Sequence, residues 1–152
     1  VLLMFQTTLE PRFSETDGLG HINNTVFPVW FEYARKDIFK LVHPSLTHHD
    51  WPMILAHINV DFIRQTQYDS EVTINTAVTK IGGKSLTVTH AAWQNEALVA
   101  RGEAVLVWFD YQQQISCPIP DDIRALLTEH LENSTQVEAQ PGVQLGARPI
   151  SE

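Results

Sequence analysis

One change of period constrains this chain more than any other feature. Phe27, Trp30, Phe31, Ala34, Ile38 and Leu41 recur at the spacing of a single helix face, whereas from residue 53 onward apolar residues recur at every second position. A helix with one apolar stripe, followed by alternating strands, buries that stripe on the face of one sheet. The class is therefore α+β. Pro28 would remove a hydrogen bond from a helix interior, so the helix starts within a turn of it, with Asn24 or Thr25 as N-cap. HPSLTHHDWP ends the helix in a loop.

Residues 5–13 alternate loosely up to Pro11 and read as a strand near a sheet edge. MILAHINVDFIRQ, EVTINTAVTKI, SLTVTHAAWQ and ALVARGEAVLVWFD read as four further strands, the last three joined by IGGKS and NE as an antiparallel meander. DDIRALLTEHL, residues 121–131, is a short terminal helix. The chain divides into one domain over 1–132 and a Gln-, Pro-, Gly- and Ser-containing tail over 133–152. One helix cannot cover both faces and both edges of such a sheet, so a homodimer or a dimer of dimers is expected.

Eighteen acidic residues against ten basic ones give a net charge of −8, which argues against a nucleic-acid binder but not against an anionic small molecule held by a few local cations. No apolar run approaches the roughly 20 residues of a membrane span. VLLMFQTTLEPRF lacks the basic region and cleavage site of a signal peptide, and cytoplasmic residence is the default expectation. The single cysteine, Cys117, excludes an internal disulfide and a cysteine-based zinc site. His43, His48, His49 and Asp50 lie in a loop that supplies no fixed geometry, so no metal is expected there.

The stretch ETDGLGHINNTVFPVWFEYAR, residues 15–35, carries the chemistry. It places a carboxylate, Asp17, in a glycine-containing loop that runs directly into the helix. The first N–H groups of a helix are unpaired and carry partial positive charge, so such an end stabilises a developing oxyanion. A carboxylate beside it can activate water or attack an acyl carbonyl itself. His21 can orient substrate, hold Asp17 or simply pack in the loop. Asn23 and Asn24 have the residue type of helix caps.

This stretch resembles the signature of hotdog-fold acyl-CoA thioesterases of the 4-hydroxybenzoyl-CoA thioesterase type, in the branch with a Gly-His-x-Asn-Asn run. The resemblance continues through VDFIRQTQYDSEVTI, IGGKS, ARGEAVLVWFD and IPDDIRALL, over about residues 5–130. It implies a long helix wrapped by a curved antiparallel sheet, with active sites at a dimer interface. It implies that Asp17 is the catalytic carboxylate and that a backbone N–H near Asn24 polarises the thioester carbonyl. It implies that the turn Gly82, Gly83, Lys84, Ser85 lies near the CoA and the partner's active site. Lys84 and Ser85 are then candidates for a phosphate contact, as is Arg64. The substrate is acyl-CoA, and no cofactor is needed beyond the CoA it carries. An acyl carrier protein is the less favoured carrier, because its acidic surface would meet a protein of net charge −8. Two other functions fit the same fold: a hydratase or dehydratase acting on acyl thioesters, and a non-catalytic acyl- or aryl-binding protein.

Overall fold

The computed structural model describes residues 3–141. Strand β1 (Phe5–Leu9) leads into a short 3-10 turn (Phe13–Glu15) and then the helix pair α1 (Val26–Ala34) and α2 (Lys36–Val42). Strands β2 (Met53–Phe62), β3 (Val72–Ile81), β4 (Ser85–Gln94) and β5 (Ala97–Asp110) follow, with a short β6 (Ile115–Ser116) and helices α3 (Asp121–Glu129) and α4 (Ser134–Val137). The sheet order is β1-β3-β4-β5-β2, antiparallel throughout, with β6 added beside β5. Register shifts at Leu55/His57, Val78/Lys80 and Ala92/Trp93 put an irregularity in each pairing along this order except β1–β3, and such bulges bend strands and increase their twist. The result is a sheet curled around the helix.

The helix that the spacing predicts as one piece is divided at Arg35, whose N–H is shared between the carbonyls of Phe31 and Glu32. That tightened turn shifts the apolar stripe. Phe27, Trp30, Phe31, Ala34 and Ile38 are buried as expected, but Val42 rather than Leu41 completes the face. Phe27, Trp30 and Phe31 pack against Val72, Ile74, Ala92 and Ala100 of the sheet. Ile38 and Val42 pack with Val88, Leu106 and Leu127 in a second cluster under α3. The first strand ends at Leu9, before Pro11, and β2 ends at Phe62.

The segment 133–141, expected as the start of a tail, forms α4 and packs on the opposite side of the sheet with Met4, Ala77 and Ala91. Val137 is fully buried there, and the buried Asn75 side chain donates to the carbonyls of Val137 and Ala139 at 2.9 Å. Composition hid this because the anchoring is done by one apolar residue and by backbone carbonyls. The rest of the expected tail, 142–152, lies outside the described residues. No helix among the described residues is long and apolar enough to cross a membrane.

A charged side chain sits in the core at the helix joint. Arg35 is 3% exposed and its Nη1 donates to Nε2 of the fully buried His90 at 3.3 Å. A guanidinium can only donate, so Nε2 accepts and the imidazole proton lies on Nδ1, which donates to Thr76 Oγ1 at 2.9 Å. Phe31 stacks on the imidazole at 4.7 Å between centroids. Gly102 lies opposite His90 in β5, and a methyl there would collide with the Asn59 carbonyl and crowd the Phe31 ring. Burial, then the Arg35 charge, holds the His90 imidazole well below its ordinary pKa.

The consequence is an acid-labile core. Above about pH 6.5 His90 is neutral in both folded and unfolded chains and contributes no pH dependence. Below it the unfolded chain takes up a proton that the folded chain refuses. Stability therefore falls by about 1.4 kcal/mol per pH unit from this residue, until the buried group itself titrates. Denaturant unfolding at stepped pH should show this slope, and His90→Gln should remove that increment. An identical slope in the variant would dismiss His90 as its source.

Candidate active site

The loop before α1 is a small two-stranded ladder. Thr16 bridges Ile22, and the Asp17 N–H donates to the His21 carbonyl at 2.8 Å. Gly18 and Gly20 turn the chain at φ +89° and +88°, conformations that cost little only for glycine. The ladder is tied to the segment after β2. Ile22 N–H donates to the Thr66 carbonyl, Tyr68 N–H to the Gly20 carbonyl, and His21 bridges Gln67. Gln94, at the end of β4, holds that segment in turn, accepting from Gln67 N–H and donating to the carbonyls of Gln67 and Ser70.

Glu15 fixes the loop from below, a role the alternation of ETD did not disclose. Its carboxylate is buried and accepts from Arg12 N–H at 2.7 Å, Arg12 Nη2 at 3.2 Å and Trp30 Nε1 at 2.9 Å. Its backbone carbonyl accepts from Asn23 N–H. Burial pushes this carboxyl up, but the Arg12 and Trp30 hydrogen bonds with the Arg12 charge outweigh it and hold the pKa below its usual value. Glu15 thereby joins the loop to the buried stripe of α1.

Asp17 and His21 face each other above this base. Asp17 Oδ2 lies 3.9 Å from His21 Nδ1, both side chains about a third exposed (32% and 33%), and Asp17 Oδ1 accepts from Leu19 N–H at 2.8 Å. Asn23 closes the turn before the helix: its Oδ1 accepts from Thr25 N–H and Thr25 Oγ1, both at 3.0 Å, with Thr25 at the N-cap position. Asn24 is exposed, and neither its N–H nor its side chain has a hydrogen-bond partner among the described residues.

A pocket of about 440 Å³ opens at this helix start, lined by Ile22, Asn24, Phe27, Phe62, Arg64 and Thr66 among others. It brings Arg64 to Asn24. Asp17 and His21 are not part of its lining, although Ile22 joins the two. The Thr66 hydroxyl is buried without a partner, a state that costs about 1–3 kcal/mol and that Thr66 gave no sign of in the sequence.

The turn Gly82–Ser85 is elsewhere. It closes the β3–β4 hairpin with Gly82 N–H on the Ser85 carbonyl, and Arg124 Nη2 and Ile119 N–H both donate to the Gly83 carbonyl. Lys84 is exposed. The Asp17 loop adjoins the other end of the same hairpin, at Gln94, and ten residues of β4 separate the two ends by about 30 Å. One chain therefore does not unite them. The His43 loop holds an imidazole–carboxylate contact, His43 Nε2 to Asp50 Oδ1 at 3.1 Å, and no group of three or more metal-ligating side chains converges among the described residues.

Comparisons with known proteins bear on the fold and the family. A thioesterase described as predicted, from Bacillus stearothermophilus, is 45% identical and superposes with a TM-score of 0.83 over 86% of this chain and 98% of its own. A Thermus thermophilus thioesterase complexed with coenzyme A and Zn is 28% identical, with a TM-score of 0.74 over 85% of this chain and 94% of its own. The 4-hydroxybenzoyl-CoA thioesterase of a Pseudomonas species, at 18% identity and a TM-score of 0.69 over 81% and 98%, shares the fold. An uncharacterized Bacillus subtilis protein is 31% identical over 84 residues, 55% of this chain and 57% of its own length, so the match spans little more than half of that relative. The profile of the Thioesterase-like superfamily matches residues 11–127. With its antiparallel sheet curled around the α1–α2 helix in the hotdog manner, the chain belongs to the Thioesterase-like superfamily.

Proposed function

We propose that the protein hydrolyses an acyl-CoA thioester to a carboxylic acid and free CoA. The observation that carries this reading is that one loop, clamped by Glu15 and Gln94, carries both the Asp17 carboxylate and, at Asn24 just before α1, an N–H without a partner. The thioester carbonyl would rest against the Asn24 N–H, which stabilises negative charge as the carbonyl carbon becomes tetrahedral. Asp17 takes the proton from the attacking water or attacks the carbon itself. The C–S bond then breaks and the thiolate leaves as free CoA after protonation; where Asp17 has attacked, water then cleaves the acyl-aspartyl anhydride to give the acid and restore Asp17. His21 orients Asp17 and Asn23 holds the helix start in register. No metal or organic cofactor enters these steps.

The second half of the site would come from a partner. β2 is an edge strand with Ile54, Leu55, Ile58 and Phe62 exposed, a long apolar edge of the kind that pairs with another chain. Antiparallel pairing of two β2 edges about a two-fold axis would bring the partner's Gly82–Ser85 turn to the end of the sheet where Asp17 stands. Lys84 and Ser85 would there meet CoA phosphate. On this reading Lys84→Ala raises KM for acyl-CoA about tenfold, the scale of a lost charge-assisted hydrogen bond, and weakens inhibition by free CoA with little change in kcat. Unchanged KM and inhibition would return Lys84 to a plain turn.

Release of free thiol from a panel of acyl-CoAs tests the function. A 2-enoyl thioester separates hydrolysis from hydration, because hydration leaves the thioester intact. Binding of acyl-CoA with no thiol released from any member would favour the ligand-binding alternative.

A further inference from the structure

The pocket at the start of α1 is rich in hydrogen-bond donors and holds no carboxylate. Arg64, Thr66 and Asn24 face it between the apolar walls of Phe27, Phe62 and Ile63, in a chain with 18 acidic and 10 basic residues. The Arg64 guanidinium has no hydrogen bond or ion pair among the described residues. The Thr66 side chain is 98% buried by its 2% exposure, and its hydroxyl is unpartnered. The amide of Asn24 is likewise unpaired. A plain hydrocarbon in this pocket would desolvate the exposed Arg64 and Asn24 without replacing their water.

We infer that the pocket receives the acyl group and that Arg64 binds a carboxylate there. The substrate class is then the monothioester of a short dicarboxylic acid. This deepens the thioesterase reading and rests on it for the position of the carbonyl at Asn24. The walls suit the methylenes between two carboxyl carbons, and the donors suit the terminal anion, which a guanidinium binds with two parallel hydrogen bonds. A phosphate of CoA fits less well. The pantetheine arm holds it many bonds from the thioester carbon, whereas this pocket begins at the carbonyl site itself.

Glutaryl-CoA and pentanoyl-CoA have the same chain length and differ by carboxylate against methyl. The parent protein should favour glutaryl-CoA in kcat/KM by roughly 10–100-fold, the value of a hydrogen bond to a charged group. Arg64→Gln should collapse that ratio. A parent ratio below about threefold, or a ratio that Arg64→Gln leaves unchanged, overturns the inference. So does an Arg64→Gln variant that weakens inhibition by free CoA as much as it weakens glutaryl-CoA, since Arg64 would then serve phosphate. If neither thioester releases thiol, the hydrolase reading fails separately. Calorimetric titration of the same two compounds then decides the pocket: tighter glutaryl-CoA binding that Arg64→Gln abolishes supports it, and equal affinities overturn it.

Discussion

Asp17→Asn should lower kcat by at least about a hundredfold, the low end of the 10²–10⁴ range for loss of a positioned proton acceptor. Asparagine has nearly the shape of aspartate, and its Oδ1 can still accept from the Leu19 N–H that Asp17 Oδ1 holds at 2.8 Å. The loop is fixed by Glu15, Gln67 and Gln94 rather than by the Asp17 carboxylate. The variant should therefore melt with the parent and bind acyl-CoA with similar affinity. The loss should appear in kcat with KM little changed, the pattern expected when a group acts on the transition state and not on binding. A kcat within a few-fold of the parent would remove Asp17 from the chemistry and make His21, 3.9 Å away, the next group to substitute.

The second large effect should come from residues far from any catalytic group. Leu55 and Ile58 lie exposed on the β2 edge, at 44% and 41%. Leu55→Lys combined with Ile58→Lys would set like charges against each other across a two-fold axis. Light scattering should then report a monomer. Removing the partner's turn from the site should lower kcat/KM by roughly 10², the scale of substrate misplacement. Circular dichroism should be unchanged, since both side chains project from the edge and not into the core clusters. A monomer with full activity would show that one chain holds the whole site, and a dimer that persists would place the interface elsewhere.

Much of this molecule is legible in its sequence because its periods are long and clean. The helix stripe from Phe27, the alternation of β3 to β5 and the hairpin at Gly82 and Gly83 are local patterns, and the structure reproduces them. The break at Arg35 is not local. It accompanies the pairing of Arg35 with His90, 55 residues away, which no window of sequence displays. The same holds for α4, anchored by Asn75 across the sheet, and for Glu15, whose partner Trp30 lies on the helix. Asp17, His21, Asn23 and Asn24 were legible as a group because one continuous loop carries them. The grouping of Arg64 with Asn24, and the orphaned hydroxyl of Thr66, depend on where the end of β2 passes the helix start. Lys84 was legible as a turn residue, but the place opposite Asp17 proposed for it requires a second chain.

The most direct test of hydrolysis at this site is single turnover of an acyl-CoA in heavy-oxygen water. The account predicts one free thiol per acyl group and one heavy oxygen taken up, either in the carboxyl of the released acid or on Asp17. With Asp17 as base the label reaches the acid at once. With Asp17 as nucleophile an anhydride forms first, and label is found on Asp17 itself. An intact thioester, whether unlabelled or labelled in its acyl chain, would contradict it.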